Sequence, residues 1–94
     1  MVPVFKALAD ETRLKIIGLL TGGELCACKI LEEFQITQPT LSYHMKILVE
    51  SGLVQGKRDG AWMRYTLNYA RVNALKLSID QLFAGQSITQ GDDA

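Results

Sequence analysis

Apolar positions along this chain recur at two different spacings. Val4, Phe5, Leu8 and Ala9 form a short stripe at helical spacing. It is too short to be stable alone, so it must pack on something. Asp10 then offers a helix N-cap, with Glu11 in the first turn where the helix dipole favours an acid. Leu14, Ile17 and Leu20 give a second helical stripe, which Gly22-Gly23 stops. A third helix is expected to start near Glu24, with Ala27, Ile30, Leu31 and Phe34 at i, i+3, i+4 and i+7. A three-residue turn (Phe34, Gln35, Ile36) leads to Thr37, another N-cap. Pro39 falls in the following first turn, where its missing N–H costs nothing. Leu41, Met45, Leu48 and Val49 make the apolar face of this fourth helix, and Ser51-Gly52 ends it.

After Gly52 the period changes from 3.6 to 2. Met63, Tyr65 and Leu67 alternate with Trp62, Arg64 and Thr66, and Asp59-Gly60 before them signals a hairpin. Trp62 is expected to point away from the core face. Val72, Leu75, Ile79, Leu82 and Phe83 form a last helical stripe, and residues 85–94 read as a polar, frayed tail. The expected fold is mainly α (α+β): about five helices plus a two-stranded β-hairpin, one domain over residues 1–84. Two short helices, a tight turn and a following hairpin read as a winged helix-turn-helix.

Composition narrows the function. With 94 residues the chain holds one small core, and a partner subunit would add stability. No apolar stretch approaches the roughly 20 residues that span a bilayer, so no membrane role is expected. No secretory leader is apparent, and two cysteines without a leader point to a reducing, cytoplasmic setting with free thiols. The formal charge is zero, but residues 37–71 carry five basic and two acidic groups. No Ser-His-Asp set, phosphate loop or paired acid and base stands out, so an enzyme is not expected.

The positive segment contains the candidate recognition helix, which in this motif enters the major groove. At about 100° per residue, with Leu41 at 0°, the other apolar positions lie between about −20° and 80°. Pro39, Thr40, Tyr43 and Lys46 then face away, Gln38 projects from the N-terminal end, and Ser42 and His44 flank the stripe. With Thr37, these hydrogen-bonding side chains suit base edges and phosphates. The alternative is an ordinary solvated helix face. A single His beside an apolar stripe is usually a packed or capping residue; with no second His or neighbouring Cys in sequence, a DNA-facing polar role for His44 is favoured over a metal or catalytic one. Lys57, Arg58 and Arg64 put cations on the hairpin, either as a wing on phosphates or as charges guarding an exposed edge.

Cys26 and Cys28 are the sharper chemical signal. On a regular helix with Ala27 at 0°, they lie at about −100° and +100°. Closing both thiols on one ion would then require the start of the helix to unwind. Thiolates select soft or borderline ions such as As(III), Sb(III), Cu(I), Zn(II) or Cd(II). Two of them fall short of the four ligands of a structural zinc site. The alternative is a pair of small buried hydrophobes, and spacing alone leaves both readings open.

Taken together, Ala9-Asp10-Glu11-Thr12-Arg13-Leu14, Glu24-Leu25-Cys26-Ala27-Cys28 and Gln38-Pro39-Thr40-Leu41-Ser42-Tyr43-His44 resemble the ArsR (arsenical-resistance repressor) family. Ser51-Gly52-Leu53-Val54 and the Gly60 to Tyr65 wing also fit it. The resemblance implies a homodimeric, cytoplasmic repressor bound to double-stranded operator DNA without a cofactor. It implies As(III) or Sb(III) as the inducer, taken by Cys26 and Cys28. It also implies pairing through the first and last helices, here Phe5 and Leu8 with Val72, Leu75, Ile79, Leu82 and Phe83. Leu31 stands where the family's fullest thiol box has a third Cys, so any third ligand is open. Two other functions remain: a repressor whose thiols sense oxidation, and a winged-helix module that binds protein rather than DNA.

Overall fold

Side-chain caps fix where most of the helices begin in this computed structural model, which describes residues 1–85. The tail expected over 85–94 lies outside the described residues, Gly85 apart. Helix α1 spans Val2–Leu8 and α2 spans Glu11–Leu20, with the Asp10 carboxylate accepting from the Arg13 N–H as N-cap. Strand β1 is only Leu25–Cys26 and runs into α3, Ala27–Glu32. Helix α4 is Gln38–Glu50, capped by the Thr37 hydroxyl, with Pro39 in its first turn. Strands β2, Val54–Asp59, and β3, Trp62–Leu67, make the wing, and α5 runs Tyr69–Ala84 from an Asn68 cap. Gly52 ends α4 at φ +87°, where an added Cβ would meet the Arg71 guanidinium at 3.0 Å.

The five helices and the hairpin are those expected from the sequence, and the sheet has one strand more. It is antiparallel in the order β1-β3-β2, with Leu25 opposite Tyr65 and Cys26 opposite Arg64. The third helix therefore starts at Ala27, not near Glu24, because Leu25 and Cys26 are spent on the sheet. Phe34 lies outside it, and five residues, 33–37, separate α3 from α4. Lys15 secures this turn from α2: its Nζ donates to the Glu33 carbonyl at 2.9 Å and sits 4.8 Å from the Phe34 ring centre. The hairpin turn is centred on Gly60-Ala61 rather than Asp59-Gly60, since Asp59 pairs with Trp62 as the last residues of the ladder. Only Gly60 of these has positive φ, as a turn with glycine in its first central position requires.

The core gathers Ile16 and Leu20 of α2, Ile30 of α3, Leu41, Met45 and Leu48 of α4, and Leu53, Val54, Tyr65 and Leu67 around the wing. Burial raises the Tyr65 phenol above its ordinary pKa. Two helix faces differ from their expected phase. Leu14 is exposed while Ile16 is buried on α2. On α4 the buried set is Leu41, His44, Met45 and Leu48, and Val49 is exposed. The face is thus turned by about 40° toward His44, which finds polar partners inside.

Helix α5 behaves differently from the rest. It is about 24 Å long, and among its buried residues is only Leu75. The Cα radius of gyration is 16.3 Å, with extents of 56 × 25 × 21 Å. A chain of this length packed evenly would have a radius near 12 Å. Among the described residues no helix is long and apolar enough to cross a membrane.

Candidate nucleic-acid interface and thiol pair

The N-terminal half of α4 and the tip of the wing flank a cleft of about 170 Å³. Gln38 and Ser42 line it from α4, and Arg58, Ala61 and Trp62 from the wing. Leu31, Leu41, Met45 and Tyr65 form its apolar floor. Gln38, Thr40, Ser42, Tyr43 and Lys46 are all exposed on α4, so the structure brings the sequence candidates onto one open face. Thr37 is exposed but engaged: its hydroxyl accepts from the Thr40 N–H and lies 3.0 Å from the Thr40 hydroxyl. Lys46 sits 3.8 Å from Glu50 in an exposed pair that contributes little.

The wing cations divide between its two faces. Lys57 and Arg64 are direct cross-strand partners, two like charges side by side. The Asp59 carboxylate relieves this by accepting from Arg64 Nε at 2.6 Å, which raises the Arg64 pKa further above its ordinary value. Arg58 pairs with Met63 in the ladder, on the other face, and reaches into the cleft. Trp62 is 42% exposed and also lines the cleft at its rim. Among the described residues, neither Lys57 nor Arg58 forms an ion pair.

His44 is a correction. It does not face outward with the other candidates but is buried, at 9% exposure. Arg13 Nη1 donates to its Nδ1 at 3.0 Å, and Arg13 Nε donates to the Ala7 carbonyl at 2.6 Å. Asp10 lies 3.9 Å from the same Nδ1. The Arg13 backbone N–H holds Asp10 below the ordinary carboxylate range, and burial opposes this in part. Arg13 was not singled out from the sequence. The signal was available: Leu41, His44, Met45 and Leu48 are i, i+3, i+4 and i+7, which places the histidine on the core face.

The thiols also correct an expectation. Cys26 is extended, at φ −77° and ψ 156°, and caps α3, its Sγ accepting from the Lys29 N–H at 3.4 Å. The wide helical angle between the two side chains therefore does not apply. Cys26 and Cys28 are disulfide-bonded, with Cα atoms 5.3 Å apart, and both are half-buried. No unwinding is needed to bring them together. Among the described residues, no group of three or more His, Cys, Asp or Glu gathers to hold a metal ion. Reduced, Cys26 and Cys28 would present two sulfurs to one soft ion from the junction of β1 and α3.

Of the expected pairing residues, Leu75 is buried in the chain's own core, while Leu8 and Val72 pack partly against it. Leu75 is thus spent within the chain, whereas Leu8 and Val72 stay half-exposed. Phe5, Ile79, Leu82 and Phe83 remain exposed, joined by Leu77, which the sequence reading passed over.

A family model for the bacterial regulatory proteins of the arsR family matches residues 10–55, the stretch from the α2 cap to the first wing strand. The arsenical resistance operon repressor of Staphylococcus xylosus is 46% identical over 77 residues, 82% of this chain and 74% of that protein. This chain belongs to the arsR family. The corresponding repressor of Staphylococcus aureus is 54% identical over 67 residues, 71% of this chain and 64% of that protein. This arsR-family chain thus spans just under two thirds of that relative's length. Among solved structures, an ArsR-like transcriptional regulator from Rhodococcus superposes with a TM-score of 0.76 at 26% identity, covering 88% of this chain and 78% of that one. HlyU from Vibrio cholerae does so at 0.71 and 30% identity, covering 88% and 90%. The fold and relatives of this arsR-family chain are those of DNA-binding transcriptional regulators, not enzymes.

Proposed function

We propose that the chain is a cytoplasmic repressor of a metalloid-resistance operon, bound to operator DNA as a homodimer and released when As(III) or Sb(III) is taken by Cys26 and Cys28. Residues 1–84 act as one DNA-binding and pairing unit. No cofactor takes part in DNA binding. Gln38, Thr40, Ser42 and Tyr43 read base edges, and Thr37, Lys46, Lys57, Arg58 and Arg64 contact the backbone. Phe5, Ile79, Leu82 and Phe83 meet the partner subunit. The relatives' role in arsenical resistance supports the inducer class.

The observation that carries the reading is the place of Cys26. It is at once the last residue of β1, opposite the wing residue Arg64, and the cap of α3, the first helix of the DNA-binding pair. An ion drawn between Cys26 and Cys28 competes for the Sγ that caps α3 and pulls on the backbone that supports the wing. It shifts DNA binding only if it favours the displaced state over the bound one. The test is titration of a duplex, selected by the chain from a randomised pool, with and without arsenite under reducing conditions, together with a count of free thiols. Release with loss of two thiols is expected. Unchanged affinity with both thiols still free would overturn the sensor.

A second reading rests on the disulfide itself. Oxidation of the two thiols, losing two electrons and two protons to a peroxide, would make the pair a redox sensor. The same titration with peroxide in place of arsenite separates them, since metalloid release requires the reduced pair.

A further inference from the structure

Hydrophobic burial alone does not fix how α4 is turned. Leu41, Met45 and Leu48 are driven inward by a non-directional force that tolerates rotation about the helix axis. The base-reading candidates project from the opposite face, about 5–6 Å from that axis. A rotation of about 20° would therefore carry their tips through roughly 2 Å, enough to lose a hydrogen bond. Something directional must hold the helix, and the only buried side chain on it with such a bond among the described residues is His44.

We propose that Arg13 and His44 form a positioning clamp that sets the rotation of α4 against the ends of α1 and α2. The inference rests on the DNA-binding reading above and deepens it. The guanidinium is donor-only, so His44 Nδ1 accepts and the ring proton sits on Nε2. The contact at 3.0 Å outranks the one to Asp10 at 3.9 Å, since Nδ1 cannot accept from one and donate to the other. The other arm of the fork takes the Ala7 carbonyl, an orphan acceptor at the end of α1. Arg13 itself is fixed at the start of α2, where its backbone N–H donates to the Asp10 carboxylate. One planar side chain thus ties three helices together, which a lysine cannot do because its single ammonium lacks the rigid fork. His44 and Arg13 touch no DNA in this scheme; they place Gln38, Ser42 and Tyr43.

The experiment compares four chains, the parent, His44→Leu, His44→Asn and Arg13→Lys, by fluorescence anisotropy on the selected duplex and on a scrambled one at several salt concentrations. His44→Leu should weaken binding to the selected duplex tenfold or more and to the scrambled duplex less than twofold. The slope of log affinity against log salt should not change. His44→Asn, whose Oδ1 can take the place of Nδ1, should return to within about threefold of the parent. Arg13→Lys should repeat the His44→Leu pattern, which keeps the test open if the leucine variant does not fold. Equal losses on both duplexes would make the role structural and overturn the clamp. A slope shallower by about one would mean a lost phosphate contact and would overturn it too. So would parent-like binding by His44→Leu. A parent that binds no duplex would instead defeat the DNA-binding reading itself.

Discussion

The helix-turn-helix and the distal half of α5 are both amphipathic helical structure, yet they end in opposite states. Ile16, Ile30 and Leu48 are fully enclosed by their own chain, while Leu82 is 66% and Phe83 82% exposed. Both regions follow the same hydrophobic spacing, so the pattern alone does not say whether a stripe meets its own chain or another. The difference lies in what the topology puts opposite each stripe. Helices α2, α3 and α4 close on one another and on the sheet, whereas α5 runs past the end of the core. The first region is complete in one chain, and the second presents an exposed apolar face.

The largest expected effect falls on the complete region. Leu48→Ala should cost about 2–5 kcal/mol through lost burial and a cavity, read as a fall in denaturant midpoint with unchanged slope. If the cost is below 1 kcal/mol, the core is not as closed as its burial indicates. Next comes the open region. Leu82→Asp with Phe83→Asp should leave that core's near-UV signal intact and turn a dimer into a monomer in ultracentrifugation. Operator affinity should drop about a hundredfold, or about 2.7 kcal/mol. A dimer that survives both charges would place the pairing surface elsewhere. Gln38→Ala or Tyr43→Ala should then cost about 1–3 kcal/mol of operator binding without moving the melting temperature. Unaltered binding by both would remove α4 from the interface.

The smallest effect is at the α2 cap. Asp10→Ala should cost about 1 kcal/mol. The folded carboxyl ionises at lower pH than the unfolded one, near 3.9. Its contribution is therefore present above about pH 4 and is lost as pH falls through the folded value. Melts of parent and variant should differ at pH 7 and converge toward pH 2; a gap that persists in acid would deny the carboxylate this role.

The longer helices α2, α4 and α5 were legible because each repeats its signal over nearly three turns or more and each starts at a readable cap. Strand β1 was not, since two residues show no period and Leu25 and Cys26 become a strand only by meeting Tyr65 and Arg64. The error over the cysteines followed directly, because a helix begun at Glu24 forces them apart. His44 was misplaced because the face of α4 was phased on Val49, although its spacing from Leu41, Met45 and Leu48 fits the core; only its partner Arg13, 31 residues away, was out of reach of the pattern. The open face of α4 and the cations of the wing were readable because exposure there needs no distant partner. The split of Arg58 from Lys57 and Arg64 follows from strand parity once the true turn, Gly60-Ala61, is known.

The pairing of β1 with β3 also orders events in the life of the chain. A contact between Cys26 and Arg64 closes a long loop, and such contacts form after local ones. During synthesis Cys26 and Cys28 leave the ribosome well before Arg64 does. Until the wing arrives, they belong to an unpaired segment and meet the cell's reductants and thiophilic ions as open side chains. Nascent chains stalled with the wing still in the ribosome should therefore react with a thiol reagent faster than chains released whole and reduced. Equal rates would show that β1 does not shelter the pair.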